Sequence, residues 1–243
     1  MTLRIAMWSG PRNISTAMMR AWENRPDCAV SDEPLYAAYL AMSGADHPGR
    51  DEVIAAGETD WRRVAEALLG PAPAGRPVWY QKHMSHHLLP GMDRAWIRQL
   101  HNIFLIRDPA EVVASYLRSR DRVEPADIGL LQQAELFDEL AAAQGREPTV
   151  IDAGDFLADP ESHLRALCAE LGLEFTERML RWPPGPRASD GVWAPHWYAT
   201  VWRSTGFEPP SARPAPVLDG QARAVAETCR PAYEKLRARR LRV

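Results

Sequence analysis

The 243-residue chain is long enough for one large domain with a substantial core, and its 46% hydrophobic and 25% charged residues are the composition of a soluble globular protein. A formal net charge of −3 gives no support to bulk nucleic-acid binding, which shows as a basic excess, and no apolar run approaches the ~18–20 residues that span a bilayer. Three widely spaced cysteines (Cys28, Cys168 and Cys229) form no C-x-x-C, and no basic-then-apolar leader precedes the first apolar run. The expectation is a reduced cytoplasmic protein with buried thiols.

Taken in chain order, a strand is predicted over residues 3–8 and a helix over 15–23, then a strand at 28–31 and helices at 35–42 and 61–69. A strand at 78–81 and a helix at 92–98 follow, then a strand at 102–106, helices at 110–118 and 128–143, and a strand at 149–152. Helical stretches at 160–171 and 176–181 lead into a proline- and tryptophan-rich segment, 182–218, and a last helix ends in "KLRARRLRV". "GADHPGRDE" and "PPSARPAP" read as surface loops. Runs such as "NIFLI" do not alternate apolar with polar, as expected of strands buried on both faces. The β-α-β-α order predicts an α/β fold, a parallel sheet flanked by helices, as a single domain over residues 1–243 with 182–218 as a covering loop or lid. Ligands of such sheets bind at the carboxyl ends of the strands, so the polar residues just after each strand matter most.

The first of these junctions is "MWSGPRNISTAMMRAW", residues 7–22. A strand-loop-helix turn aims backbone N–H groups at an anion from the positive end of a helix dipole. Ser15 and Thr16 add hydroxyl donors and suit a helix start, and Arg12 adds a fixed charge fitted to phosphate or sulfate oxygens. A plain capped turn would explain the two hydroxyls but leave Arg12 idle. The lysine of G-x-x-x-x-G-K-[ST] is missing, and Asp108 has Arg107 beside it, so a metal-independent donor is favoured over a nucleoside triphosphate with magnesium.

"NIFLIRDPAEVVASYLRSR" repeats the logic. A buried strand ends at Arg107, Pro109 sits where a helix start tolerates proline, and Ser115 follows Arg107 by eight residues. An Asp-Pro helix start with a buried serine is common in its own right. Two anion sites at neighbouring strand ends nevertheless suggest a ligand with two separated phosphate groups.

These residues resemble the sulfotransferases that use 3′-phosphoadenylyl sulfate, in particular a branch of small bacterial sulfotransferase-like proteins. "PRNIST" (11–16) is similar to that family's P-K-S-G-T-T loop, with Arg12 in the lysine position, and "RDPAEVVAS" (107–115) to its 3′-phosphate motif. "VIDAGDFLADPESHLRALCAELGL" (150–173) resembles its strand-acid-loop-helix, so the likeness covers about residues 3–173. It implies a P-loop-type fold, no metal, and a donor held at Arg12, Asn13, Ile14, Ser15 and Thr16 on its 5′ side and at Arg107 and Ser115 on its 3′-phosphate. Ile14 stands where the family has glycine, and Ala17 replaces a tryptophan that stacks on adenine in many members. No clear G-x-x-G-x-x-K is present, although "WRSTGF" (202–207) offers Arg203, Ser204 and Thr205 as substitutes.

Sulfuryl transfer needs in-line positioning, a base for the acceptor proton and positive charge on the leaving phosphate, the last a role for Arg12. By resemblance, Lys82 and His83 in "YQKHMSHHLLP" match a K-T-H-L-P segment whose histidine is the base in many members. Read backward from "LLP", His87 takes that place; His83 is preferred because it lies closest to the predicted strand end. His83, His86 and His87 also admit a polar helix start or a metal cluster, the latter poor without cysteine or acid partners. Glu33 in "SDEPLYAAYL" resembles the "EP" segment of other branches, where the glutamate is the base; its plain alternative is a helix-start acid, and Asp32 beside it reads as structural. "VWAPHWYATVWRS" (192–204) offers Trp193, His196 and Trp197 as a wall over a small-molecule acceptor, with core packing as the alternative. The resulting expectation is a sulfotransferase acting on a hydroxyl or amine of a small molecule. A P-loop kinase-like phosphotransferase and a non-catalytic nucleotide-binding sensor are the alternatives.

Overall fold

The computed structural model describes residues 2–209 and 216–243. Five strands form one sheet: β1 (Leu3–Ser9), β2 (Cys28–Asp32), β3 (Val78–Met84), β4 (His101–Ile106) and β5 (Thr149–Asp152). All pair in parallel in the order β2-β3-β1-β4-β5. Helices supply the crossovers: α1 (Ser15–Glu23) after β1; α2 (Tyr36–Ser43), α3 (Arg50–Ala56) and α4 (Trp61–Leu69) after β2; α5 (Pro109–Tyr116) and α6 (Leu130–Gln144) after β4. Beyond β5 come α7 (Ala153–Ala158) and α8 (Pro160–Glu170), then α9 (Ala194–Trp197), α10 (Ala199–Arg203) and α11 (Gly220–Arg237).

Each inner strand is buried on both faces, which explains its unbroken apolar run. Ala6, Trp8, Trp79, Phe104 and Ile106 face a core shared with α4, α6 and α11. Ile5, Met7, Tyr80, Ile103 and Leu105 face a second core made with α1 and α8. The chain leaves β1 toward β2 on one side and leaves β4 toward β5 on the other. The crevice at the carboxyl ends of β1 and β4 is therefore the switch point of the sheet, where open α/β sheets take their ligands. Arg12 and Arg107 both lie there.

Among the elements that differ from the sequence expectation, three do so for a local reason. The helix expected at 92–98 is a 3₁₀ turn over Ala95–Gln99, with Asp93 bonding the Ala95 N–H at its start. The "GADHPGRDE" loop ends in a helix: α3 begins at Arg50 after Gly49 turns the chain at φ 72°, and Asp51 and Glu52 fill its first turn. The third strand runs on from Gln81 to Met84, because Lys82, His83 and Met84 keep register with Met7, Trp8 and Ser9 of β1. "PPSARPAP" and the end of the 182–218 stretch fall partly on 210–215, outside the described residues. No helix among the described residues is long and apolar enough to cross a membrane.

Candidate active site

The loop between β1 and α1 is shaped by packing. A Cβ on Gly10 would sit 2.1 Å from the Ile128 carbonyl oxygen, so the strand exit tolerates only glycine. Arg12, not a glycine, takes the left-handed conformation of the turn, at φ 57°. Ile14 has φ −87° and packs its side chain on the second core, so its position makes no demand for glycine. Its N–H is held by Asn13 Oδ1 at 2.8 Å, and Asn13 Nδ2 donates to the Leu105 carbonyl at 3.0 Å, which ties the loop to β4. Helix α1, opened by Ser15 and Thr16, has neither a side-chain cap nor an acidic residue in its first turn. Its positive end therefore has no cap or acid of its own in that turn.

Arg12 from the β1–α1 loop, Arg107 from the β4–α5 loop and Ser115 from α5 meet. Arg12 Nε donates to Ser115 Oγ at 3.1 Å, and an Arg107 guanidinium N–H donates to the Arg12 carbonyl at 3.0 Å. Arg118, three residues past Ser115, donates to the same hydroxyl at 2.8 Å. Ser115 is buried, so a hydroxyl two turns into α5 gathers two arginines. Burial, and then the charges of Arg118 and Arg107, lower the pKa of Arg12; its cationic form is held at a cost that a bound anion would relieve. Arg107 has Glu111 at 2.9 Å, an exposed i,i+4 pair of small worth. Asp108 answers to Arg230 of α11, at 2.6 Å, rather than to Arg107, and caps α5 through the Ala110 N–H. Arg118 was missed in the sequence, although its i+3 spacing from Ser115 was visible there.

At the carboxyl ends of β2 and β3 lies a second charged cluster. Lys82 Nζ, 1% exposed, donates to Asp32 at 2.7 Å, Glu33 at 2.6 Å and the Tyr198 hydroxyl at 2.7 Å. Tyr198 in turn donates to Asp32, and the Gly191 N–H reaches the same carboxylate at 3.2 Å. Burial alone would drive the lysine down, but the two carboxylates hold it well above its ordinary value. Burial raises the Glu33 carboxyl, Lys82 pulls against that, and Asp32 adds to it; the net direction is upward. Glu33 is itself left-handed, at φ 43°, fixed by its N–H on the Lys82 carbonyl. Non-glycine residues in this region are costly and concentrate at functional sites, and Arg12 and Glu33 are two of them.

His83 does not join this cluster, because the strand expected to end at Gln81 runs on through it to Met84. It sits inside β3, where side chains alternate between faces, so it points away from Lys82 into the first core. Its ring stacks on Trp8 at 4.3 Å and is 1% exposed, with Gln81 at 3.4 Å as its one hydrogen-bond partner among the described residues. Burial lowers its pKa to about 3. His87 is the histidine beside the acid: its Nε2 lies 4.0 Å from Glu33 Oε2, and its ring packs on both Tyr36, at 4.8 Å, and Tyr39, at 4.7 Å.

The aromatic segment divides. Trp193 donates to the Tyr198 hydroxyl at 3.3 Å and meets Tyr36 edge-on at 5.1 Å. Trp197 lies under the guanidinium of Arg120 at 5.1 Å. His196 is exposed beside Gly49, away from both clusters. The segment is fastened to α1 by Arg20 and Asp190, both buried and 2.5 Å apart, and by Arg187 on Glu23 at 2.8 Å. "WRSTGF" is engaged elsewhere: Ser204 Oγ takes the Trp182 indole N–H at 3.1 Å and donates to Val201. No hydrogen bond joins this segment to the Gly10–Ile14 loop among the described residues.

A central parallel sheet with an anion-ready strand-loop-helix at its switch point defines a nucleotide-binding α/β fold of the P-loop type. Comparison with known proteins narrows this further. The family described as "Sulfotransferase domain" matches residues 3–240. The chain belongs to this family and is by that membership a transferase. It is 34% identical over 238 residues to branched-chain-amino-acid aminotransferase-like protein 2 of Arabidopsis thaliana, covering 96% of this chain and 41% of that one. The chain thus spans about two fifths of the length of the curated relatives it matches. Among solved structures it is similar to a sulfotransferase from Alicyclobacillus acidocaldarius, with a TM-score of 0.57, 14% identity, and coverage of 99% and 98% of the two chains. The sulfotransferase domain of the Synechococcus PCC 7002 olefin synthase gives 0.54 and 17%, with coverage of 93% and 94%. At these identities the likeness is one of fold.

Proposed function

We propose that the chain moves a sulfuryl group from 3′-phosphoadenylyl sulfate to a hydroxyl or amine of a small-molecule acceptor. The observation that carries this reading is the meeting of Arg12, Arg107 and Arg118 around Ser115, beside an uncapped helix start. Arg12 and Arg118 take part in no ion pair among the described residues, so the crevice favours a ligand that brings its own negative charge, and more than one phosphate group satisfies it best. The donor is a substrate here: the S–O bond to its 5′-phosphate breaks as a bond from sulfur to the acceptor forms, and adenosine 3′,5′-bisphosphate leaves. Arg12 and the first turn of α1 supply positive charge at the leaving phosphate.

For the acceptor proton we favour Glu33 over His83. Glu33 is at a strand end, its basicity is raised by burial, and Lys82 fixes one oxygen while the other faces His87. Lys82, with all three donors taken by the cluster, is better suited to hold that carboxylate than to reach the donor. Tyr36, whose ring stacks on the His87 beside Glu33, and Trp193, edge-on to Tyr36, offer apolar surface for the acceptor. We place the protein in the cytoplasm on its cysteine pattern.

The test is transfer of labelled sulfate from 3′-phosphoadenylyl sulfate into a mixed panel of small hydroxyl and amino compounds, in the presence of chelator. Labelled product with matching release of adenosine 3′,5′-bisphosphate is expected. Phosphoryl transfer from ATP with magnesium would instead make the protein a phosphotransferase, and nucleotide binding with no transfer to any compound would make it a sensor.

A further inference from the structure

The two anion sites at the switch point hang from different strands: Arg12 follows β1, while Arg107 and Ser115 follow β4. The pairing of those strands ends at Ser9 and Leu105, just where the two sites begin. A side chain of α6 fastens them there. Gln133, 1% exposed, donates from Nε2 to the Trp8 carbonyl at 2.8 Å and to the Leu105 carbonyl at 3.1 Å. The same Leu105 oxygen takes Asn13 Nδ2 from the first loop at 3.0 Å. One amide therefore joins the ends of β1 and β4 and, through a shared oxygen, the loop that carries Arg12.

The arrangement has a cost. Gln133 Oε1 is buried and has no hydrogen-bond partner among the described residues. Turning the amide over would set that oxygen against two carbonyl oxygens, so the N–H pair faces the strands. An apolar side chain at this position would remove the orphaned acceptor and with it the tie, so the residue's use lies in its N–H groups. The start of α6 is fitted to the same place: Gly129 has φ 70°, and a Cβ on it would lie 3.3 Å from Gly10 Cα. Arg12, left-handed at φ 57°, holds that conformation only where its surroundings over-determine it.

We propose that Gln133 is a positioning residue that sets the spacing between the two anion sites, so that a ligand with two separated phosphate groups meets both at once. It touches no ligand itself. Each site keeps its own groups without Gln133: Arg12 and the start of α1 on one side, Arg107, Arg118 and Ser115 on the other. Only a ligand that must engage both sites senses their spacing. The inference thus rests on the donor reading above.

Calorimetry of adenosine 3′,5′-bisphosphate and adenosine 5′-monophosphate, without metal, into the wild type, Gln133→Met and Gln81→Met tests it. Gln81 is the matched control, since it is also buried and its Nε2 holds the Leu68 carbonyl at 3.0 Å, away from the crevice. Both variants are expected to melt about 2–10 °C below the wild type. Only Gln133→Met should lose the bisphosphate's advantage, from at least ~10-fold to below about threefold, with monophosphate affinity kept within about threefold. If Gln133→Met does not fold, Gln133→Asn, an amide one methylene too short to span both carbonyls, should show the same loss. An advantage that survives in the Gln133 variant would overturn the assignment. So would an equal loss in Gln81→Met, a fall in both nucleotides alike, or failure of both Gln133 variants to fold, each the mark of a general brace. A wild type with no bisphosphate advantage breaks the donor reading, and this inference with it.

Discussion

The crevice at β1 and β4 and the cluster at β2 and β3 are built from similar side chains and balanced in opposite ways. Around Ser115 the cations outnumber the acids, and Arg12 and Arg118 have no carboxylate partner among the described residues. Around Lys82 one cation meets two carboxylates and a phenol within 2.7 Å, all largely out of water. The first arrangement leaves its cations open to an anion; in the second the charges already meet one another. On the function proposed above, that contrast fits two roles: one strand-end site would receive a charged donor, and the other would hold a carboxylate at a fixed place for proton transfer.

The largest effect expected from breaking this contrast is on the satisfied side. Glu33→Gln should lower the transfer rate by roughly 10²–10⁴-fold, the usual worth of a positioned base, and leave bisphosphate affinity unchanged. His83→Gln should keep the rate within about tenfold and lower thermal stability, because that ring is packed on Trp8. The reverse pattern in steady-state kinetics would return the base to His83.

Next in size is Asp190→Ala. It takes from the buried Arg20 the closer of its two carboxylates, leaving Glu23 at 3.4 Å, and should destabilise the fold by up to about 3 kcal/mol in urea unfolding, with the aromatic segment loosened from α1. A loss below about 1 kcal/mol would mean that the segment is not held by this pair.

A third prediction concerns acid. His83 and His86 titrate at about 3 and His47 at about 4 in the folded protein, lowered by burial, against 6.5 ordinarily. Between those limits the unfolded chain binds more protons. Stability is therefore full above about pH 6.5 and falls as pH drops toward about 3, by up to ~1.4 kcal/mol per unit for each such imidazole. Urea midpoints that stay flat from pH 7 to 4 would show these rings to be solvated.

The smallest effect is expected at Ile14→Gly. With φ already negative and the N–H occupied, glycine should leave bisphosphate affinity within about threefold and cost on the order of 1 kcal/mol of stability. A gain in affinity above tenfold would show that the isoleucine does restrict the loop.

Much of the fold was legible because it is written in short-range pattern. Buried parallel strands are unbroken apolar runs, and the residues after them, such as Arg12 and Arg107, stand out as polar groups in fixed places. What was not legible depended on register and long-range pairing. His83 was favoured because β3 was ended at Gln81. Three more residues in register with β1 turn Lys82 and His83 to opposite faces, and no local signal in "YQKHMSHH" marks where the pairing stops. Tyr198 reaches Lys82 across 116 residues, and Asp190 reaches Arg20 across 170, contacts that no spacing rule anticipates. Arg118 was within reach of a spacing argument, yet its charge matters only once the loop from β1 arrives beside it.

The most direct test of the contrast is calorimetric titration, without metal, of adenosine 3′,5′-bisphosphate and adenosine 5′-monophosphate into the wild type and Arg107→Ala. The account predicts that the bisphosphate binds at least ~10-fold more tightly than the monophosphate, as one or more charge-assisted hydrogen bonds to the second phosphate require, and that the advantage collapses in the variant. Equal affinities for the two nucleotides in the wild type would contradict it, because the arginines around Ser115 would then not be a site for a second phosphate.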